Sequence, residues 1–179
     1  MIRIFTGLAI PDHVAKSLAL LRGGLSNARW IEDTDYHLTL HFIGNIEESI
    51  AGELDEQLAR MRHAPVEVIL DGLHAFGGNK PRSIVVTARA TPSLLALHAS
   101  QERLLRRLGI PFENRKYSPH VTIARLKSTP ASVVADYVNG HGYFRPLAFI
   151  CNHSILYSSA RPSGGGPYVA EAEYELAET

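Results

Sequence analysis

Two copies of a short pattern contain the residues of this sequence best suited to proton transfer. The first is His37-Leu38-Thr39-Leu40 and the second is His120-Val121-Thr122-Ile123, so both read histidine, aliphatic, threonine, aliphatic. A His-x-Thr triplet is expected by chance about 0.4 times in a chain of this composition, so a single copy would be weak evidence. Two full copies, 83 residues apart, point to a shared chemical role.

Strand geometry explains the spacing within each copy. Side chains alternate between faces, so each histidine shares a face with the threonine two residues later, while the aliphatic residues face the core. Two such strands side by side would line a cleft with two imidazoles and two hydroxyls. One imidazole can act as general base and the other as general acid. The hydroxyls can donate to phosphate oxygens. A cleft with these four groups is suited to in-line attack at phosphorus without a metal.

Metal binding is the main alternative use of these histidines. His37 and His41 have the i, i+4 spacing with which a helix binds zinc. In a strand, however, four residues span about 13 Å, which is too far for one ion. A half-exposed surface position is the ordinary interpretation of either copy alone. The β-rich surroundings and the repetition favour a paired phosphate site, and we expect neither a metal nor another cofactor.

Composition narrows the class of protein. The chain has 179 residues with 18 basic and 18 acidic side chains, which excludes the broad basic surface of a protein that coats a nucleic acid. The single cysteine, Cys151, excludes an intramolecular disulfide framework and a multi-cysteine zinc site. No apolar run approaches the ~18–20 residues of a membrane helix, and no secretory signal is visible. We therefore expect a cytoplasmic protein with no membrane partner.

The hydrophobic patterns predict an α+β fold in one domain, residues 1–179, with two similar halves of about 1–90 and 91–179. We expect antiparallel sheets with helices packed on their outer faces. Strands are predicted at 2–10, 29–31, 37–43, 66–70, 83–88, 120–126, 147–157 and 168–176. Helices are predicted from residue 11 and over 47–61, 92–108 and 130–138, with a glycine-rich loop at 163–167.

Taken together, these residues resemble the two-histidine (2H) phosphoesterase superfamily, and within it the RNA 2′,3′-cyclic phosphodiesterases, also called 2′-5′ RNA ligases. The resemblance covers nearly the whole chain, and both motifs match without departure. The matching positions are Arg3-Ile4-Phe5 with Ile10-Pro11, Trp30, His37 to Gly44, Pro81-Arg82, Pro119 to Arg125, and Ser158, Gly166 and Tyr168.

The resemblance implies a bilobal fold with two related lobes and a central cleft. It also implies metal-independent hydrolysis of a terminal 2′,3′-cyclic phosphate on RNA to a 2′-phosphate. His37 would be the proton donor to the departing 3′ oxygen and His120 the proton acceptor that activates water. Thr39 and Thr122 would bind phosphate oxygens. Reversible 2′-5′ joining of RNA ends is a further implied activity of the same site.

The expected partners are RNA ends or nucleotides that carry a 2′,3′-cyclic phosphate, and we expect a monomer. Three alternatives stay open at this point. The first is an RNA-end binding or ligation factor, for which hydrolysis is incidental. The second is another 2H cyclic phosphodiesterase that acts on small nucleotides, and the third is a zinc hydrolase.

Several neighbours of the motifs are not assigned to the site. Parity places His41 on the face of His37, where it could lie at the edge of the expected cleft, but we do not assign it to the site. Parity places Arg125 on the face opposite His120, so it would reach a phosphate only if the strand contains a β-bulge. An ion pair is its preferred interpretation. Arg115 and Lys116 could attract an RNA backbone, although solvated charge is the default.

Overall fold

The described residues, 1–161 and 166–177 of a computed structural model, form nine strands and four helices. The α+β prediction is confirmed, and every predicted helix is present. None of these helices is long and apolar enough to span a membrane. Residues 163–165 of the predicted loop lie outside the described residues. The strands are β1 Ile2–Ala9, β2 Ala28–Trp30, β3 His37–Ile46, β4 Val66–Phe76, β5 Ser83–Ala88, β6 His120–Leu126, β7 Leu147–Cys151, β8 His153–Ser159 and β9 Tyr168–Glu175. The helices are α1 Asp12–Ala19, α2 Glu48–Arg60, α3 Pro92–Arg107 and α4 Ala131–Gly140.

All these strands belong to one antiparallel sheet in the order β7-β4-β5-β6-β3-β1-β8-β9, with β2 added beside β6. At its centre, β3 and β6 pair through Leu38 and Val121 alone. We call this pair the seam. It joins two parts of the sheet, β7-β4-β5-β6 and β3-β1-β8-β9, and each part combines strands from both halves of the sequence. The similarity of the halves 1–90 and 91–179 stays a prediction.

The segment predicted as one strand at 147–157 is in fact two strands. β7 pairs with β4 at one edge of the sheet, whereas β8 pairs with β1 near the other edge, and only Asn152 separates them. So short a connection requires the sheet to curl until its two ends approach each other. The Asn152 carbonyl accepts from the Leu176 N–H at 2.7 Å, which ties the junction to the end of β9. The prediction of a single strand at 147–157 was wrong, because an apolar pattern does not reveal where a chain changes its partner strand.

The helices cover one face of the sheet. The aliphatic residues of the motifs are buried on that face, where they pack with α1, α3 and α4; they are Leu38, Leu40, Val121 and Ile123. Burying such a side chain stabilises the fold by about 1.5–3 kcal/mol. A one-residue slip in the register of either strand would reverse the faces of its two aliphatic residues and forfeit their burial. The motif histidines and threonines therefore emerge on the opposite face, which we call the site face.

Candidate active site

The two motifs lie side by side at the seam. Because Leu38 and Val121 are partners in an antiparallel ladder, the register sets His37 opposite Thr122 and sets the first motif's threonine opposite His120. All four of these polar side chains are half-buried, whereas the two seam residues are fully buried. The seam register therefore places the backbone of each motif histidine across from that of the other motif's threonine. The structure brings together all four site residues that the sequence predicted.

Both histidines are oriented by the same type of backbone contact. Nδ1 of His37 lies 2.9 Å from the Asp35 carbonyl oxygen, and Nδ1 of His120 lies 2.7 Å from the Ser118 carbonyl oxygen. A carbonyl only accepts, so Nδ1 carries the proton in both rings. In the neutral ring Nε2 is then an acceptor, and it becomes a donor when the ring is protonated. The reactive atom of each histidine is therefore Nε2.

Burial lowers the pKa of both histidines. Loss of hydration lowers the pKa of His37 to about 4, with a smaller lowering from the positive charge of Arg125. The same two causes, burial first, lower the pKa of His120. Both rings are therefore neutral at pH 7 in the free protein. A bound phosphate adds a negative charge beside them, which favours the imidazolium form.

Aromatic rings enclose one histidine more than the other. The rings of Phe5, Tyr157 and Tyr168 lie 4.8, 5.5 and 4.9 Å from the His37 ring, centroid to centroid. The His120 ring meets Phe76 edge-on at 4.7 Å. The three rings around His37 exclude water, which explains why loss of hydration dominates its pKa. Apart from Tyr168 and Phe5, which carried the family resemblance, the sequence analysis did not place these aromatic residues near the site.

A β-bulge after the second motif brings a further cation onto the site face. Ile123 is an extra residue in the ladder with β5, because Thr122 and Ala124 pair with consecutive residues of that strand. Ile123 and Ala124 are both buried, and alternation resumes one residue late. Arg125 therefore lies on the same face as His120. The sequence analysis required a β-bulge for Arg125 to reach a phosphate, and the strand contains one. The prediction from simple alternation, which placed Arg125 on the face opposite His120, was wrong.

The first motif is followed by a corresponding bulge. Leu40 is the extra residue, because Thr39 and His41 pair with consecutive residues of β1. His41 is consequently only 3% exposed, with Nε2 at 2.8 Å from the His98 carbonyl oxygen. It lies in the core and not at the edge of the site. Phe42, which follows it, returns to the site face.

Tyr117 supports the first motif from a distance of 78 residues along the chain. Its hydroxyl donates to the Thr39 carbonyl at 2.9 Å, and its ring stacks on His98 at 3.8 Å. The His98 ring in turn stacks on His41 at 4.1 Å. This stack holds the backbone on which the threonine side chain stands. No local signal in the sequence reveals the contact, since it depends on two segments that fold against each other.

Other chemistry has little support in the described part of the chain. Within residues 1–161 and 166–177, no three His, Cys, Asp or Glu side chains lie close enough together to hold a metal ion. Cys151 is buried, and burial raises the pKa of its thiol to about 12. It is therefore not a nucleophile at neutral pH. The paired imidazoles and hydroxyls remain the groups best placed to act on a substrate.

Comparison with known protein families decides the family. The sequence model of the 2′-5′ RNA ligase superfamily matches residues 10–162, which include both motifs. The chain belongs to the 2′-5′ RNA ligase superfamily. The paired motifs had suggested a 2H phosphoesterase, and the family match agrees with that.

Two named relatives resemble the chain in sequence, and a solved structure resembles it in fold. An Aeropyrum pernix protein named RNA 2′,3′-cyclic phosphodiesterase is 34% identical over 116 residues, which cover 62% of this chain and 66% of that protein. A Thermotoga maritima protein of the same name is 29% identical over 186 residues, with 97% and 96% covered. The structure of Escherichia coli LigT complexed with 3′-AMP is 19% identical, covers 99% of both chains, and superposes with a TM-score of 0.76.

Proposed function

We propose that the protein hydrolyses the terminal 2′,3′-cyclic phosphate of RNA to a 2′-phosphate. The observation that carries this proposal is the register at the seam, which sets each motif histidine opposite the threonine of the other motif. A base and an acid then flank one phosphate, with hydroxyl donors between them. The shared name of the relatives, RNA 2′,3′-cyclic phosphodiesterase, supports the choice of substrate.

The two histidines move protons in opposite directions. Nε2 of His120 takes a proton from a water molecule as the water oxygen attacks phosphorus. The bond from phosphorus to the 3′ oxygen breaks, and protonated Nε2 of His37 gives its proton to that oxygen. Phosphorus keeps its bond to the 2′ oxygen, so the products are a 2′-phosphate and a 3′-hydroxyl. Proton exchange with solvent then restores both rings.

Three donors stabilise the charge that develops on the phosphate. The hydroxyls of Thr39 and Thr122 each donate to a non-bridging oxygen, and Arg125 offers the paired N–H groups of its guanidinium. Such donors are most effective where they are held in place before the reaction and water is partly excluded. The seam register and the bulge after the second motif support such an arrangement of the three donors. The same phosphate charge raises the pKa of His37, which it needs in order to act as an acid.

The pH dependence of kcat/KM should be a bell centred below pH 6.5. The pH dependence of kcat/KM reports the pKa values of the free enzyme. There the pKa of His37 is about 4 and that of His120 is lowered from 6.5. One ring must be protonated and the other neutral, so the active fraction falls about tenfold per pH unit outside the two pKa values. kcat reports the complex, where phosphate raises both pKa values, so its maximum should lie at higher pH. A kcat/KM maximum above pH 8 would contradict this account.

The direct test of the proposed function is a product assay on an RNA oligonucleotide that ends in a 2′,3′-cyclic phosphate. We expect a 2′-phosphate, identified by phosphorus NMR, and a rate that EDTA leaves unchanged within about twofold because no step uses a metal. A 3′-phosphate product would contradict the assignment of the leaving oxygen. Loss of activity in EDTA that zinc restores would favour the zinc hydrolase instead.

The name of the superfamily supports a second activity of the same site. If the 5′-hydroxyl of another RNA takes the place of water, the same displacement forms a 2′-5′ linkage. Incubation of cyclic-phosphate RNA with 5′-hydroxyl RNA tests this, with a joined product expected in low yield beside the hydrolysis product. A joined product without hydrolysis would favour the RNA-end ligation factor.

Within this proposal the protein acts as a cytoplasmic monomer.

A further inference from the structure

Two arginines lie directly opposite each other at the outer end of β6. β2 pairs with this end of the strand, and in its ladder Arg29 is the partner of Arg125. The next pair, Trp30 and Ala124, packs into the core, so both arginines lie on the site face. Like charges at directly opposite positions destabilise a sheet. A bound anion would remove this cost.

Lys127 continues the row of cations. Its N–H donates to the Asn27 carbonyl at 3.4 Å, which extends the ladder between β2 and β6 by one residue. Alternation then places Lys127 on the face of Arg125, two positions and about 7 Å further along the strand. From the seam outward, the site face of β6 thus carries His120, Thr122 and Arg125, and Lys127 follows directly after the last residue of the strand. We call Arg29, Arg125 and Lys127 the cation row.

Acidic side chains do not neutralise this row in the part of the chain that the structure describes. All three members are exposed, and the ion pairs within 4.0 Å are formed by other arginines, namely Arg22, Arg60, Arg89, Arg106 and Arg115. A terminal cyclic phosphate carries one negative charge, which Arg125 and the two threonines can satisfy. Arg29 and Lys127 therefore have the capacity for a second phosphate.

We propose that Arg29 and Lys127 bind the phosphodiester on the 5′ side of the terminal nucleotide, so that the protein prefers an RNA chain to a mononucleotide 2′,3′-cyclic phosphate. This inference rests on the proposed function, because the terminal phosphate must occupy the site at the seam. An RNA chain leaves its last nucleotide through the 5′ oxygen, and the next phosphate is the nearest further anion. Contacts to phosphate do not read bases, so the preference is for chain length and not for sequence.

The test compares two substrates that share the same terminal nucleotide. One is the mononucleotide 2′,3′-cyclic phosphate, and the other is an oligonucleotide that ends in it. We expect Arg29→Ala to lower kcat/KM for the oligonucleotide about tenfold, the order of effect of one phosphate contact, and to leave the mononucleotide unchanged within about twofold. The dependence of log kcat/KM on log salt should become shallower by about 0.7 for the oligonucleotide alone.

Two further variants control for charge and folding. Arg29→Lys keeps the charge and should retain most of the preference for the oligonucleotide. Lys16→Ala removes one exposed positive charge on α1, a helix on the other face of the sheet. This variant should leave kcat/KM unchanged for both substrates. Thermal unfolding of Arg29→Ala checks that the short strand β2 is intact.

The outcomes separate this subsite from the proposed function. Equal losses on the two substrates, or no loss on either, would overturn the subsite while the hydrolysis itself stands. Failure of the wild-type protein to hydrolyse either substrate would overturn the proposed function. In that case the binding of a mononucleotide and of an oligonucleotide, each ending in a 2′-phosphate, is measured by calorimetry. If Arg29→Ala leaves the ratio of oligonucleotide affinity to mononucleotide affinity unchanged, the subsite is overturned too.

Discussion

His37→Ala and His120→Ala are each expected to lower kcat/KM on a cyclic-phosphate RNA by about 10²–10⁴-fold, the range for loss of a general acid or base. His37→Ala removes the proton donor to the 3′ oxygen, and His120→Ala removes the acceptor for the proton of water. Both histidines act in the same displacement step. The kcat/KM of the double variant should therefore be only slightly lower than that of the less active single variant. Initial rates of 2′-phosphate formation measure all three.

Folding and charge need separate controls for this result. Because the His37 ring packs against three aromatic rings, thermal unfolding must show that each variant is folded at the assay temperature. His13→Ala removes an exposed histidine from α1 and should keep full activity. A folded His37→Ala or His120→Ala protein with wild-type activity would refute the mechanism.

Arg125→Ala is expected to lower kcat/KM by about 10²–10³-fold, as for loss of one preorganised donor to a charged transition state. The loss should be similar on a mononucleotide and on RNA, because Arg125 contacts the phosphate that both substrates share. Arg125→Lys keeps the charge but not the paired N–H geometry, so it should recover only part of the rate. The exposed Arg107 of α3 provides a matched control, and Arg107→Ala should be fully active.

A pH profile shows whether Arg125 acts beside the histidines or only as a distant charge. Its positive charge lowers the pKa of both His37 and His120. Removal of that charge should therefore raise both pKa values and move the kcat/KM maximum of Arg125→Ala to higher pH. An unchanged pH maximum, or a loss confined to the RNA substrate, would place Arg125 outside the catalytic phosphate site.

Much of the local structure follows from the sequence alone. The aliphatic residues of each motif alternate with histidine and threonine, and burial of Leu38 or Val121 leaves only one face for the polar residues. This reasoning placed both motifs on strands and gave the faces of His37, Thr39, His120 and Thr122. Helices were equally predictable, since an apolar stripe at helical spacing is a local property. Repetition of the motif was sufficient to predict a paired site.

Only the tertiary structure decided which residues accompany that site. A β-bulge belongs to two strands together, so one strand's pattern could not show that Arg125 turns onto the site face or that His41 turns away. For the same reason, the sequence did not reveal that Arg29 lies opposite Arg125, or that β7 and β8 pair at different ends of the sheet. Register between strands is set by the packing and hydrogen bonds of partners far apart in the chain. The sequence by itself thus determined the chemistry of the motif residues, and the pairing of distant strands decided their neighbours.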